Sequence, residues 1–174
     1  MKRATGIWLL ALAWLGAIYS TLYVARTVAE LLRTHNLLRL TVWTTIALLG
    51  VAVLFWAVRA RRGVRAWGVL ALGAVAFLWA VASVSPPEVK LHFVEYGVLG
   101  GLFYSALRSG GARWVALPAV ILTGLAGWLD EGIQYLLPNR WYDLQDVAIN
   151  TVAGAIAIVT LVLLDWAQRR EAAS

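Results

Sequence analysis

The chain has no cysteine among its 174 residues. That excludes a disulfide framework, a thiolate metal site and a cysteine nucleophile, and it leaves the redox compartment without a trace. Charge is scarce as well: 14% of the residues are Asp, Glu, Lys or Arg, where an ordinary soluble domain carries about 25%. Short motifs that announce common chemistries are missing too, with no Gly-rich phosphate loop, no H-E-x-x-H zinc spacing and no G-x-S-x-G nucleophile elbow. The formal charge of +6 resembles a nucleic-acid signal. The arginines, however, flank apolar runs and form no patch interleaved with aromatics, so no nucleic-acid partner is expected and the basic residues report topology instead. Hydrocarbon makes up the rest: 61% of the residues are hydrophobic and the mean hydropathy is +0.75. The expected class is an all-α, polytopic transmembrane bundle forming a single domain over residues 1–174.

Six apolar segments run roughly from Thr5 to Ala25, Leu38 to Val58, Val64 to Val84, Leu91 to Leu107, Ala112 to Leu136 and Gln145 to Leu164. A helix needs about 20 residues to cross the hydrocarbon, so the fourth is marginal by length. The first exceeds a signal-peptide core and reads as an uncleaved helix. With a cytoplasmic amino terminus, ten basic residues (Lys2, Arg3, Arg59, Arg61, Arg62, Arg65, Arg108, Arg113, Arg169, Arg170) fall inside. Five (Arg26, Arg33, Arg39, Lys90, Arg140) fall outside. That bias places both termini in the cytoplasm. Most tryptophans, such as Trp8 and Trp166 inside and Trp43 and Trp141 outside, fall near the segment ends, where amphipathic rings prefer to sit. In the first outer loop, Val28, Leu31, Leu32 and Leu38 keep a helical rhythm, which predicts a short interfacial helix.

Against this apolar background the run Asp130 to Asn150 holds four carboxylates, an arginine, four amides and two tyrosines. Glu131 lies 17 residues beyond Trp114, or about 25 Å along a helix in a hydrocarbon layer of about 30 Å, which sets it near the outer surface. Helical spacing puts His92, Glu95 and Tyr96 on one face, Glu131, Gln134 and Tyr135 on another with Asp130 beside Gln134, and Asp143, Asp146 and Asn150 in a third stripe. Three polar stripes at one end of three consecutive helices predict a shared, outward-facing pocket, because an unpartnered carboxylate inside a membrane costs roughly 2.5 to 3.5 kcal/mol. Arg140 is the expected counter-ion, since its planar fork can bridge two carboxylates. The candidates for acid, base or catalytic contact are His92, Glu95, Asp130, Glu131, Gln134 and Asp146. Those for substrate binding are Tyr96, Arg140, Asp143 and Asn150. Plainer roles exist for some of them: His92 as a helix cap or interfacial hydrogen bonder, Asp143 as the N-cap of a helix beginning at Leu144. Gly100, Gly101 and Gly154 suit helix packing better than ligand contact.

At these residues the chain resembles the VanZ-like family. The likeness is carried by H-x-x-E-Y-G-x-L-G from His92 to Gly100, D-E-x-x-Q from Asp130 to Gln134, Pro138 with Arg140, and D-x-x-D-x-x-x-N-x-x-x-G from Asp143 to Gly154. It spans roughly residues 83–164. Asn139 stands where the family pattern has glycine, and asparagine also tolerates a left-handed turn. The resemblance implies an integral protein of the bacterial cytoplasmic membrane and a link to glycopeptide (teicoplanin) resistance.

Three functions fit these residues. The first is an envelope enzyme at the outer leaflet, in which a carboxylate serves as general base or metal ligand, His92 carries a proton and Arg140 grips a lipid-linked precursor or a glycopeptide-related ligand. The cofactor stays unknown, with a divalent cation as a candidate. The second is an ion-coupled transporter, disfavoured by the shallow site and the expected lack of acids on the inner halves of the helices. The third is a non-enzymatic scaffold, in which salt bridges lock three helix ends together. A sealed, fully paired cluster would favour the scaffold.

Overall fold

A computed structural model describes residues 2–60, 62–112, 114–138 and 141–173. Among these residues the chain is helical without strands. Six helices follow in order: α1 (Lys2–Thr34), α2 (Leu38–Arg59), α3 (Val64–Ala82), α4 (Lys90–Ser109), α5 (Ala116–Tyr135) and α6 (Leu144–Glu171). A 3-10 turn at Pro87–Val89 precedes α4. Five of them, all but α4, are long and apolar enough to cross a membrane. Their outer faces are studded with exposed hydrocarbon, including Leu9, Leu48, Phe55, Leu72, Trp79 and Trp128. A surface of this kind is compatible with lipid and not with water.

α4 is less apolar because lipid is not its main neighbour. It packs against α6, α1 and α5, with further contacts to α2 and α3. Phe93, Tyr96, Leu99, Phe103 and Tyr104 on it are buried. A helix enclosed by other helices can carry polar side chains that a lipid-facing helix could not. Its 20 residues still extend about 30 Å, the thickness of the hydrocarbon layer.

One expectation about a helix end changes. The apolar rhythm after Ala25 is not a separate interfacial helix, because α1 continues unbroken for 33 residues to Thr34. Nothing between Ala25 and Thr34 interrupts it: the stretch has no Gly or Pro, and Arg26 pairs with Glu30 one turn on at 3.1 Å. The helix ends where Asn36 takes the left-handed conformation at φ 57°. At about 50 Å, α1 is longer than the hydrocarbon is thick, so its last turns project beyond it or the helix tilts. Arg33 there pairs with Glu88, tying the end of α1 to the turn before α4.

Small residues let α6 approach both α4 and α5. A Cβ on Gly100 would lie 2.8 Å from the Cα of Gly154, and one on Gly154 would lie 2.5 Å from Cγ2 of Thr123 on α5. One turn from that crossing, a Cβ on Gly127 would meet Cβ of Asn150 at 2.7 Å. These near-backbone contacts are the membrane mode of helix packing. They also set the relative height of the three helices, and with it the position of the polar side chains at their ends.

Candidate functional site

The start of α4, the end of α5 and the start of α6 meet at one end of the bundle. On α5 the buried positions Ala119, Thr123, Ala126, Gly127, Asp130, Glu131 and Gln134 form a single stripe. Asp130 and Glu131 are each 1% exposed, Gln134 is 4% exposed and Asn150 of α6 is fully buried. Polar groups so deeply withdrawn must find partners. Tyr96 Oη donates to Asp130 Oδ2 at 2.8 Å. Gln134 Nε2 reaches Asp130 Oδ1 at 3.3 Å and Glu131 Oε1 at 3.2 Å, bridging the two acids from one turn further on. The other oxygen of Glu131 accepts the backbone N–H of Asp143 at 3.1 Å, which joins the end of α5 to the start of α6.

His92 and Asn150 complete the set, with Nδ1 of the ring 2.8 Å from Oδ1 of the amide. The amide nitrogen of Asn150 is buried and has no partner. The His92 ring also stacks on Tyr96, with centroids 6.3 Å apart. Glu95 and Asp146 are half-buried at the margin. The three stripes therefore converge on one cluster.

Asp143 takes the N-cap position of α6, where its Oδ1 accepts the N–H of Gln145 at 2.7 Å. Tyr135 does not join the cluster and is 64% exposed. At roughly 100° per residue it falls about 120° from the middle of the buried stripe, whereas Asp130 and Gln134 fall within about 20° of it. Arg140, the expected counter-ion, and Asn139 beside it lie outside the described residues. Among the described residues no group of three or more His, Asp or Glu side chains is arranged to hold a metal ion.

Two residues of α1 support the cluster from behind. Trp14 Nε1 donates to the carbonyl of Glu95 at 2.9 Å, and Tyr19 Oη donates to the carbonyl of Ala126 at 2.7 Å. The signal available for Trp14 was its place: it sits mid-helix, away from both helix ends, where an indole N–H needs a protein acceptor.

The opposite end is not free of acid, as the sequence-based expectation had it. Asp165 on α6 accepts Tyr104 Oη at 2.7 Å and pairs with Arg108 Nε at 2.8 Å. It lies one residue past the apolar run that ends at Leu164, which is why hydropathy placed it outside the helix.

The VanZ/LLP1 family model matches residues 7–165. The chain belongs to the VanZ/LLP1 family. The match starts in the first turns of α1 and ends near Asp165, so it takes in the first two helices, which the motif-bearing stretch 83–164 left unassigned. No curated protein and no solved structure matches the chain. Family membership and the apolar helices together make this VanZ/LLP1 chain a multi-pass membrane protein.

Proposed function

We propose that this VanZ/LLP1 protein is an acid–base catalyst of the bacterial cytoplasmic membrane, acting from the outer leaflet on the polar headgroup of a lipid-linked envelope precursor, with teicoplanin tolerance as the cellular consequence. One observation carries the reading: the two most deeply buried acids, Asp130 and Glu131, are bound by neutral groups. Tyr96 and Gln134 serve Asp130, Gln134 and a backbone N–H serve Glu131, and no lysine or arginine among the described residues pairs with Glu95, Asp130 or Glu131. The three ion pairs of the described residues, Arg26–Glu30, Arg33–Glu88 and Arg108–Asp165, all lie elsewhere. A scaffold held by salt bridges needs its charges neutralised in place. Crowded acids withdrawn from water beside a histidine are instead what proton exchange needs.

Glu131 is the proposed acid or base, His92 its proton relay, the unpartnered amide nitrogen of Asn150 a donor toward substrate, and Arg140 the grip on a phosphate or carboxylate. The alternative is a non-enzymatic scaffold or an ion-coupled transporter. The scaffold draws its support from the near-complete burial of Asp130 and Glu131.

Glu131→Gln separates these readings, since it keeps the shape and part of the hydrogen bonding while removing proton exchange near neutral pH. Expressed in a teicoplanin-sensitive host, the variant is expected to lose tolerance while membrane abundance and melting temperature stay at the wild-type level. Arg140→Lys is expected to be nearly as damaging, because lysine keeps the charge and loses the bidentate fork. Intact tolerance in the Glu131→Gln variant, or loss explained by failure to accumulate, would transfer support to the scaffold.

A further inference from the structure

The basic end of the bundle carries a second feature, independent of the acid cluster. Where the start of α3 meets the end of α6, a cavity of about 490 Å³ is lined by Arg65, Trp166, Arg170 and Ala173. An apolar groove of about 380 Å³ continues along the same two helices toward mid-bundle, between Val69, Leu72 and Ala76 of α3 and Val152, Val159 and Leu163 of α6. Val69 is one turn beyond Arg65 and Leu163 two turns before Arg170, so groove and cavity share a face of each helix. α3 and α6 approach each other closely at Gly73, where a Cβ would lie 2.6 Å from Oγ1 of Thr160. That hydroxyl is already spent on the carbonyl of Ile156 at 2.8 Å, which leaves the groove without a free donor.

The charges at the cavity are complementary to an anion. Neither Arg65 nor Arg170 has a carboxylate partner for its guanidinium among the described residues, and Arg170 lies over the Trp166 ring at 5.6 Å. The acids at this end have partners of their own: Glu171, beside the cavity, accepts the backbone N–H of Arg65 at 2.8 Å, and Asp165 is held by Arg108 and Tyr104. The groove runs about 16 Å from Val152 to Leu163 along α6, close to half the thickness of the hydrocarbon layer. One leaflet's acyl chain has that reach, and its phosphate then falls at the arginines.

We infer that the α3–α6 seam binds an anionic phospholipid, its headgroup phosphate between Arg65 and Arg170 and one acyl chain in the apolar groove. Arginine suits the headgroup because its fork meets two phosphate oxygens at once, and a tryptophan at the headgroup level suits the glycerol region. A soluble phosphate would satisfy the arginines alone and leave the groove unused.

Native mass spectrometry of the delipidated full-length protein, with phosphatidylglycerol and phosphatidylcholine of identical chains at equal concentration, tests the assignment. The wild type is expected to retain phosphatidylglycerol roughly thirtyfold better, the contribution of two basic side chains at a headgroup. Arg65→Gln with Arg170→Gln should erase that preference, and Arg65→Lys with Arg170→Lys should restore most of it. Ala76→Phe, which fills the groove from an exposed position, should weaken retention of both lipids. Equal retention of the two lipids by the wild type overturns the inference. So does an unchanged preference in the double glutamine variant, or displacement of bound phosphatidylglycerol by glycerol phosphate at equal concentration.

Discussion

Tyr96 illustrates what single residues do here. Its hydroxyl is the nearest donor to Asp130 Oδ2, at 2.8 Å, and it also lies 3.5 Å from the carbonyl of Ala126. Tyr96→Phe leaves a buried carboxylate oxygen without its donor, which is expected to lower stability by about 1 to 3 kcal/mol. Tyr19→Phe should lower it less, because the carbonyl it serves keeps its helical bond and the Tyr96 hydroxyl nearby. Thermal melts of the purified variants in one detergent check the order, and a larger loss for Tyr19→Phe would contradict it. Residues such as His92, Glu95, Asp130, Glu131 and Asn150 were legible from sequence because a polar side chain in an apolar helix has few inexpensive places to be. Tyr135 was misplaced because an i, i+4 step from Glu131, already at the rim of the buried stripe, carries it out of the bundle. For Trp14 the sequence could signal only the need for some acceptor, and for Tyr19 not even that, since both bind backbone carbonyls and a carbonyl leaves no mark in the sequence.

Helices in this bundle are positioned by what they lack in volume. The crossing of α4, α5 and α6 depends on Gly100, Gly154 and Thr123, and an added methyl on Gly154 would stand 2.5 Å from Cγ2 of Thr123. Gly154→Ala is therefore expected to destabilise the protein by about 1 to 3 kcal/mol through overpacking. It should also disturb the contact between His92 and Asn150 one turn away. Thr123→Ala removes the clashing atom, so the double variant should recover part of the loss, a non-additivity that melting temperatures of both singles and the double would reveal. If Gly154→Ala is tolerated alone, the close crossing is wrong. Hydropathy delimited the spans of α2, α3 and α5 well, because lipid-facing helices must be apolar along their whole length. It understated α4, whose environment is other helices, and it split α1 at a boundary that its uninterrupted helix-forming residues ignore.

At the scale of the whole molecule, the two ends of the bundle differ in chemistry. The His92–Asn150, Asp143–Glu131 and Arg33–Glu88 contacts gather the α1–α2, α3–α4 and α5–α6 connections at one end, while Arg65–Glu171 and Arg108–Asp165 gather the remaining connections at the other. The described basic residues follow the same division, eight (Lys2, Arg3, Arg59, Arg62, Arg65, Arg108, Arg169, Arg170) on the second end and four (Arg26, Arg33, Arg39, Lys90) on the first, and the whole sequence keeps the ten-to-five bias. A bias of that size orients a multi-pass chain with its richer side in the cytoplasm. Reporters fused after Ser174 are thus expected to be active only as cytoplasmic fusions, and a tag between Pro138 and Trp141 to be accessible from outside in intact cells. Neutralising Arg59, Arg61, Arg62 and Arg65 together should shift part of the population to the opposite orientation, because it leaves six basic residues against five. Labelling of the Pro138–Trp141 tag only after the membrane is permeabilised would place the acid cluster on the cytoplasmic side. The proposed substrate would then have to be sought in the inner leaflet, and a role on outward-facing precursors would fall.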